Sequence, residues 1–266
     1  MKKSYRILIS LCVLLCIFAI AGCSKPKATL PSDFIGVTKV EVIDYLQNKS
    51  HQFKFLVFTS TDNELIDGFK NKYIDKLVIN RLPHIYLIDN NEQYLSSMYE
   101  VTVSVKPMVC QFQTIKLSFK NGVKEIPFGY YENIDLPHSE NQIDVNLYYD
   151  LKSNNNIYDM QLIIHNYRMS DVYLNQINFV DKENSDRFVM APLTDNIIIS
   201  DNIKIISNIK LEVPNNTFYN KGLINLKFVT DHLEFEQPAV YLVDNLPDYY
   251  QLKESGIELN RLIIPR

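Results

Sequence analysis

The chain has no tryptophan and only 7 glycines among its 266 residues. Glycine lets the backbone approach phosphates and oxyanions closely, so its scarcity leaves little material for such sites. The sequence contains no glycine-rich phosphate loop, no GxSxG motif and no SxxK motif. These absences argue against an enzyme and predict a protein that carries no cofactor.

An excess of positive charge is also missing. The formal net charge is -4, and Lys2, Lys3 and Arg6 are the only charged residues before Cys23. A chain that begins at Cys23 therefore carries a net charge of -7. A nucleic-acid partner needs a basic face, so we predict none.

Cysteine is scarce outside the N-terminal segment. Cys12 and Cys16 lie within an apolar run, Cys23 ends that run, and Cys110 stands alone in the remaining chain. If residues 1–22 are removed, Cys110 has no ordinary cysteine to pair with. The sequence therefore predicts a fold held together by its core, without an internal disulfide.

The first residues have the three parts of a secretory signal peptide. MKKSYR is basic, residues 7–21 (ILISLCVLLCIFAIA) are apolar, and Gly22 is small. As a helix the apolar run spans about 22 Å, which is short for a hydrocarbon core of about 30 Å. An uncleaved signal anchor is the alternative.

The end of this run, Ile20-Ala21-Gly22-Cys23, resembles the lipobox of bacterial lipoproteins. The resemblance implies that the Cys23 thiol receives a diacylglyceryl group and that a peptidase removes the signal peptide, residues 1–22. Cys23 is then the lipidation site, residues 23–32 form a tether, and the lipid bilayer is a partner. The expected location is the extracytoplasmic face of the cell membrane, where two or more acyl chains anchor a protein stably.

Residues 33–130 are predicted to form an α+β or mainly β domain. Strand-like stretches include VTKVEVID and QFKFLVFT, and Asn121-Gly122 predicts a hairpin with a type I′ turn. One short helix is expected in TDNELIDGFKNKY, because Thr61 and Glu64 form a capping box and Leu65, Ile66 and Phe69 would share one helical face.

Residues 131–141 lack an apolar period and are predicted to be a linker. Residues 142–266 contain seven short strand-like stretches separated by turn residues, which is typical of an immunoglobulin-like β-sandwich. DYYQLKESG is compatible with a helical turn near the C-terminus, and IELNRLIIP with an edge strand. The predicted fold is therefore mainly β.

No side-chain set in the sequence indicates catalysis or metal binding. Cys110 could pair with His84 or His138 as nucleophile and base, but a packed core thiol explains it better. The loop DKENSD offers Asp181, Glu183 and Asp186 as oxygen ligands for calcium, yet it lacks the features of an EF-hand loop. None of the histidines occurs at HxH or HExxH spacing. They are His51, His84, His138, His165 and His232.

Tyrosine is abundant and occurs in adjacent pairs. Exposed aromatic rings can contact sugars or proteins. The pairs are Tyr130-Tyr131, Tyr148-Tyr149 and Tyr249-Tyr250. Because neighbours in a strand face opposite sides of a sheet, each pair is expected to supply one core ring and one surface ring.

These observations favour a lipid-anchored, non-enzymatic binding or interaction module of the cell envelope, with a protein or another envelope component as partner. Two alternatives remain. One is the solute-binding lipoprotein of a transporter, although that class usually has many helices. The other is an envelope enzyme whose site cannot be assembled from sequence.

Overall fold

The computed structural model describes residues 28–45, 50–136, 143–149, 157–168, 170–180, 188–190, 197–200, 202–212, 217–231 and 233–265. The signal peptide, Cys23 and the tether up to residue 27 lie outside the described residues, as do DKENSD, His138 and His232.

The N-terminal strands are β1 (Ile35–Tyr45), β2 (His51–Thr59), β3 (Leu65–Gly68), β4 (Ile74–Asp89), β5 (Glu92–Val105), β6 (Cys110–Phe119) and β7 (Gly122–Ile134). The next strands are β8 (Ile143–Tyr149), β9 (Ile157–Asn166), β10 (Val172–Val180), β11 (Phe188–Met190), β12 (Ile197–Ile199), β13 (Asn202–Glu212), β14 (Thr217–Val229) and β15 (Glu234–Asp244). Helix α1 (Tyr249–Ser255), β16 (Ile257–Glu258), a 3₁₀ turn (Leu259–Arg261) and β17 (Leu262–Ile263) follow. The mainly β prediction is confirmed.

Strands β1–β7 form a curled sheet that we call the half-barrel. Its strands are neighbours in the order β4-β5-β2-β1-β7-β6-β3. Phe53, Phe55 and Val57 alternate along β2 and enter the core on one face of the sheet, where the rings of Phe53 and Phe128 stack at 5.2 Å between centroids. Burial of this apolar face is the main source of stability.

Strand β1 changes neighbours along its length. Residues 35–37 pair antiparallel with β2, whereas later residues pair in parallel with β7 and β14. The register shifts between Lys39 and Val40. Opposite Val40, Gly129 has a φ of 125°, and a Cβ there would lie 2.0 Å from the Val40 carbonyl oxygen. Glycine is required because only it tolerates this φ and approach.

The C-terminal residues cover the other face of β2, β4 and β5. Leu252 of α1, Ile257 of β16 and Leu262 of β17 pack into a second apolar cluster with Phe58 and Leu87. Helix α1 begins at an Asp248 cap, whose side chain accepts a hydrogen bond from Gln251 N. The central strands of the half-barrel are therefore buried on both faces.

Strands β8–β15 form what we call the two-sheet region. One sheet has the order β12-β10-β14-β15, and the other has the order β11-β13-β9-β8. Both sheets contribute to one apolar cluster, which includes Leu162, Leu174, Leu226 and Phe228. An immunoglobulin-like topology for this region stays a prediction.

The prediction of a short helix in TDNELIDGFKNKY is wrong. Leu65–Gly68 form β3, which pairs antiparallel with β6, and Lys120 N donates to Glu64 O at 2.8 Å. Leu65 is buried while Ile66 is 63% exposed, so these residues do not share a face. An isolated helix this short is marginal, and the edge of β6 supplies hydrogen bonds that override the capping pattern.

The hairpin predicted around Asn121-Gly122 is confirmed, but its turn differs. Phe119 pairs with Gly122, so Lys120 and Asn121 form the loop, and only Gly122 has a positive φ. Two consecutive residues with positive φ occur instead at Asn90 and Asn91, between β4 and β5. That turn has the conformational signature of type I′.

Strand pairing crosses the predicted linker at 131–141. Strand β14, which follows the linker, pairs in parallel with β1. The last two strands also return to the half-barrel, β16 beside β4 and β17 beside β1. The division into two domains stays a prediction, and the structure adds that main-chain hydrogen bonds join the two parts.

Candidate functional site

A buried carboxylate lies where β1, β2 and β14 meet. The Asp44 side chain is 0% exposed and its Oδ2 accepts from His51 Nδ1 at 2.8 Å and from Lys221 Nζ. Its Oδ1 accepts from the Tyr45 main-chain N–H at 2.9 Å. Three donors thus compensate for loss of water around the charge, as a buried carboxylate requires. We call Asp44, His51 and Lys221 the charge cluster.

The pKa of Asp44 reflects opposing effects. Burial raises it, but the hydrogen bond from His51 and the positive charge of Lys221 outweigh burial, so the pKa lies below the ordinary aspartate value. Asp44 is therefore ionised at neutral pH. Its carboxylate lies near the C-terminal end of β1, at the opposite end of this strand from residue 35.

Three buried polar atoms near the charge cluster have no hydrogen-bond partner in the described structure. They are His51 Nε2, Tyr131 Oη and Asn133 Oδ1. Asn133 is directly opposite Asp44 in β1 and Cys110 in β6. Burial raises the pKa of Tyr131, and the negative charge of Asp44 raises it further. Each of these atoms has unused hydrogen-bonding capacity.

Cys110 lies in the half-barrel core and is 6% exposed. Burial raises the pKa of its thiol, which disfavours the nucleophilic thiolate. His84 Nδ1 lies 3.3 Å from Ser96 O and 3.3 Å from Ser97 Oγ. His84 thus has other hydrogen-bond partners than Cys110, and the thiol is a packed core residue, as the sequence favoured.

The described ranges contain no group of three or more His, Cys, Asp or Glu side chains that could hold a metal ion. The calcium hypothesis for Asp181, Glu183 and Asp186 concerns residues outside those ranges. Of the tyrosine pairs, Tyr131 is buried beside a half-buried Tyr130, as expected for a strand. Tyr249 and Tyr250 lie in a helix, and Tyr250 is 74% exposed.

Sequence reasoning missed the charge cluster. Asp44 and Lys221 are separated by 177 positions, so no local motif connects them. The sequence does mark Asp44 as unusual, because it follows Val40 and Val42 at every second position of β1 and therefore lies on the same buried face. An acid in an apolar phase predicts a buried partner. Nothing in the sequence identifies that partner as His51 or Lys221.

A second candidate surface lies at the end of the two-sheet region where β14 turns into β15. Tyr167 is 61% exposed, Ile198 51% and Leu233 47%. The Arg168 guanidinium lies 5.2 Å from the centre of the Phe235 ring, a cation-π contact that holds its position. We call Tyr167, Arg168, Ile198 and Leu233 the far-end surface.

No family model matches the chain, and no curated protein matches it. Among the described residues, no helix is both long enough and apolar enough to cross a membrane.

Proposed function

We propose that the protein is a lipid-anchored lipoprotein on the extracytoplasmic face of a cell membrane, and that it acts as a non-enzymatic binding or interaction module of the envelope. The lipobox-like residues ending at Cys23 support the anchor. The far-end surface supports the interaction role, because tyrosine and arginine are frequent at the centres of protein interfaces.

The observation that carries this proposal is the parallel direction of strands β1 and β14. Ala28 pairs with Tyr94, so the chain joins the fold close to Cys23. Strand β14 runs parallel to β1 and continues past their last pair, Val42 with Lys221, to Val229. The far-end surface is thus remote from the anchor, where a partner in the envelope can reach it.

The anchor is tested in cells of a bacterium that lipidates proteins. Cys23→Ala is expected to release the protein from the membrane fraction and to abolish labelling by a fatty acid. Cys110→Ala is the matched control, since it changes the other cysteine outside the signal peptide. Unchanged attachment and mass of the Cys23→Ala protein would refute the anchor.

The interaction role is tested by site-specific photocrosslinking on the native membrane. A photoreactive phenylalanine at Tyr167 is expected to give a discrete crosslinked product, whereas the same residue at Tyr250 is not. Both tyrosines are highly exposed, so the comparison isolates position. Equal products from the two positions would contradict a partner at the far-end surface.

A solute-binding role is the second candidate, and the three unpartnered atoms beside Asp44 favour it. A thermal-shift screen of small polar solutes tests it, because a bound solute raises the unfolding temperature. The stabilisation should saturate and should be lost in Asn133→Leu, which removes an acceptor at similar volume. No saturable shift with any solute would reject this role.

A further inference from the structure

The hairpin formed by β4 and β5 projects beyond the rest of the half-barrel. Strand β2 pairs with β5 only as far as Thr59 opposite Ser97. Strands β4 and β5 continue pairing to Asp89 opposite Glu92. At about 3.4 Å per residue, residues 92–96 extend about 17 Å past the end of β2. We call residues 86–95 the projecting hairpin.

The described chain begins beside this hairpin. Ala28 forms a parallel bridge with Tyr94, three residues after the Asn90-Asn91 turn. Cys23 can lie at most about 18 Å from Ala28 even when the intervening chain is fully extended. The turn itself is about 10 Å beyond Tyr94. An anchor at Cys23 is therefore confined to within about one nanometre past the turn.

The projecting hairpin combines a polar, acidic turn with a partly apolar face behind it. Residues 89–93 are exposed without interruption. Behind them, Tyr86 and Leu95 are opposite one another on a single face, and Leu95 is 38% exposed. Tyrosine is enriched at membrane interfaces because its ring is apolar and its hydroxyl is polar.

We propose that the projecting hairpin rests on phospholipid headgroups and directs the two-sheet region away from the bilayer. This inference rests on the lipid anchor of the proposed function. The occupant of the hairpin surface is the headgroup layer, because the short tether keeps the anchor within about 18 Å of Ala28, which lies beside Tyr94 of the hairpin.

The absence of tryptophan allows a direct test, since a single introduced tryptophan reports its own surroundings. Residues 23–266 carrying Cys110→Ala are coupled through Cys23 to maleimide lipid in phosphatidylcholine vesicles. Gln93→Trp, Val123→Trp and Leu233→Trp are compared, with a nitroxide on some lipid headgroups as quencher. Quenching is expected to be several-fold stronger at position 93 than at 233, with 123 intermediate.

A longer tether tests whether the short natural tether causes the orientation. Insertion of about ten Gly and Ser residues between Lys27 and Ala28 frees the body from the surface and should equalise quenching at the three positions. Circular dichroism matching the parent protein verifies that each variant is folded. Equal quenching with the natural tether, or strongest quenching at 233, would overturn the proposed orientation.

The anchor in this test is chemical, so its outcome is independent of natural lipidation. If Cys23→Ala does not release the protein from the membrane fraction of cells, the proposed lipid anchor is refuted, whatever the quenching experiment shows. If quenching shows no preference for position 93, the orientation is refuted while the anchor stands.

Discussion

The half-barrel and the two-sheet region are both built mainly from antiparallel strands, but they bury different groups. Within the described residues, the half-barrel alone encloses a carboxylate hydrogen-bonded to a histidine with less than a tenth of either side chain exposed, Asp44 with His51. The cluster of the two-sheet region is apolar, with Leu162, Ile224 and Phe228 fully buried. The two-sheet region also buries Asn166, whose amide donates to Ser170 O and Ile199 O. The comparison teaches that similar strands can be held by packing with neutral hydrogen bonds or by packing combined with a specific charge arrangement.

The largest expected effect tests whether the two regions unfold together. Phe53→Ala in the half-barrel and Phe228→Ala in the two-sheet region each remove a buried ring and should cost about 4 kcal/mol. Because β1 pairs with β14, both substitutions should shift one shared unfolding transition. Urea unfolding followed by circular dichroism measures this, and two separate transitions would instead show independent domains.

Removal of the buried carboxylate tests the charge cluster. Asp44→Ala leaves His51 and Lys221 without their partner and should lower the free energy of unfolding by about 3 kcal/mol. The matched control is Asp244→Ala, whose ion pair with Lys54 is about one-third exposed and should contribute less than about 1 kcal/mol. Equal losses in urea unfolding would show that the charge cluster has no special role.

Two glycines sharpen the comparison of backbone constraints. Gly129→Ala in the half-barrel meets the Val40 carbonyl and needs a positive φ, so it should cost about 3 kcal/mol. Gly222→Ala in the two-sheet region meets the buried Tyr241 ring but needs no positive φ, so the cost should be smaller, about 2 kcal/mol. A larger thermal destabilisation for Gly222→Ala would reverse this interpretation.

The smallest effect is a pH dependence that arises from the charge cluster. The pKa of Asp44 is lower in the folded protein, so its contribution is present above the unfolded aspartate pKa of about 3.9 and is lost as pH falls through the folded pKa. Asp44→Asn should therefore flatten the decline in stability below about pH 4. Acid unfolding profiles of the two proteins provide the measurement, and parallel profiles would assign the acid sensitivity elsewhere.

Local patterns in the sequence predicted much of the fold. The alternating apolar residues of QFKFLVFT indicated β2, and Asn121-Gly122 indicated the hairpin of β6 and β7. The capping pattern at Thr61 and Glu64 led to a helix that is absent, because pairing with β6 decides the conformation of β3. The turn type was also predicted at the wrong place, since the two consecutive positive φ values expected at Asn121-Gly122 occur at Asn90-Asn91.

The candidate sites were less accessible from sequence. Asp44 was recognisable as an acid in an apolar phase, but His51 was one of several unremarkable histidines. Lys221 lies in a strand whose pairing with β1 no local pattern indicates. Long-range pairing is set by the sum of many packing contacts, so neighbouring residues alone do not specify it.

By itself the sequence determined the abundance of strands, the lack of a second ordinary cysteine and the lipobox-like residues at Cys23, because these follow from composition and local pattern. Only the tertiary structure decided which strands pair with β1 along its length and that the C-terminal residues return to cover the half-barrel. It also decided that Asp44 meets His51 and Lys221. The physical reason is that these features arise from burial and hydrogen bonding between distant segments, whose energies exist only once the chain is folded.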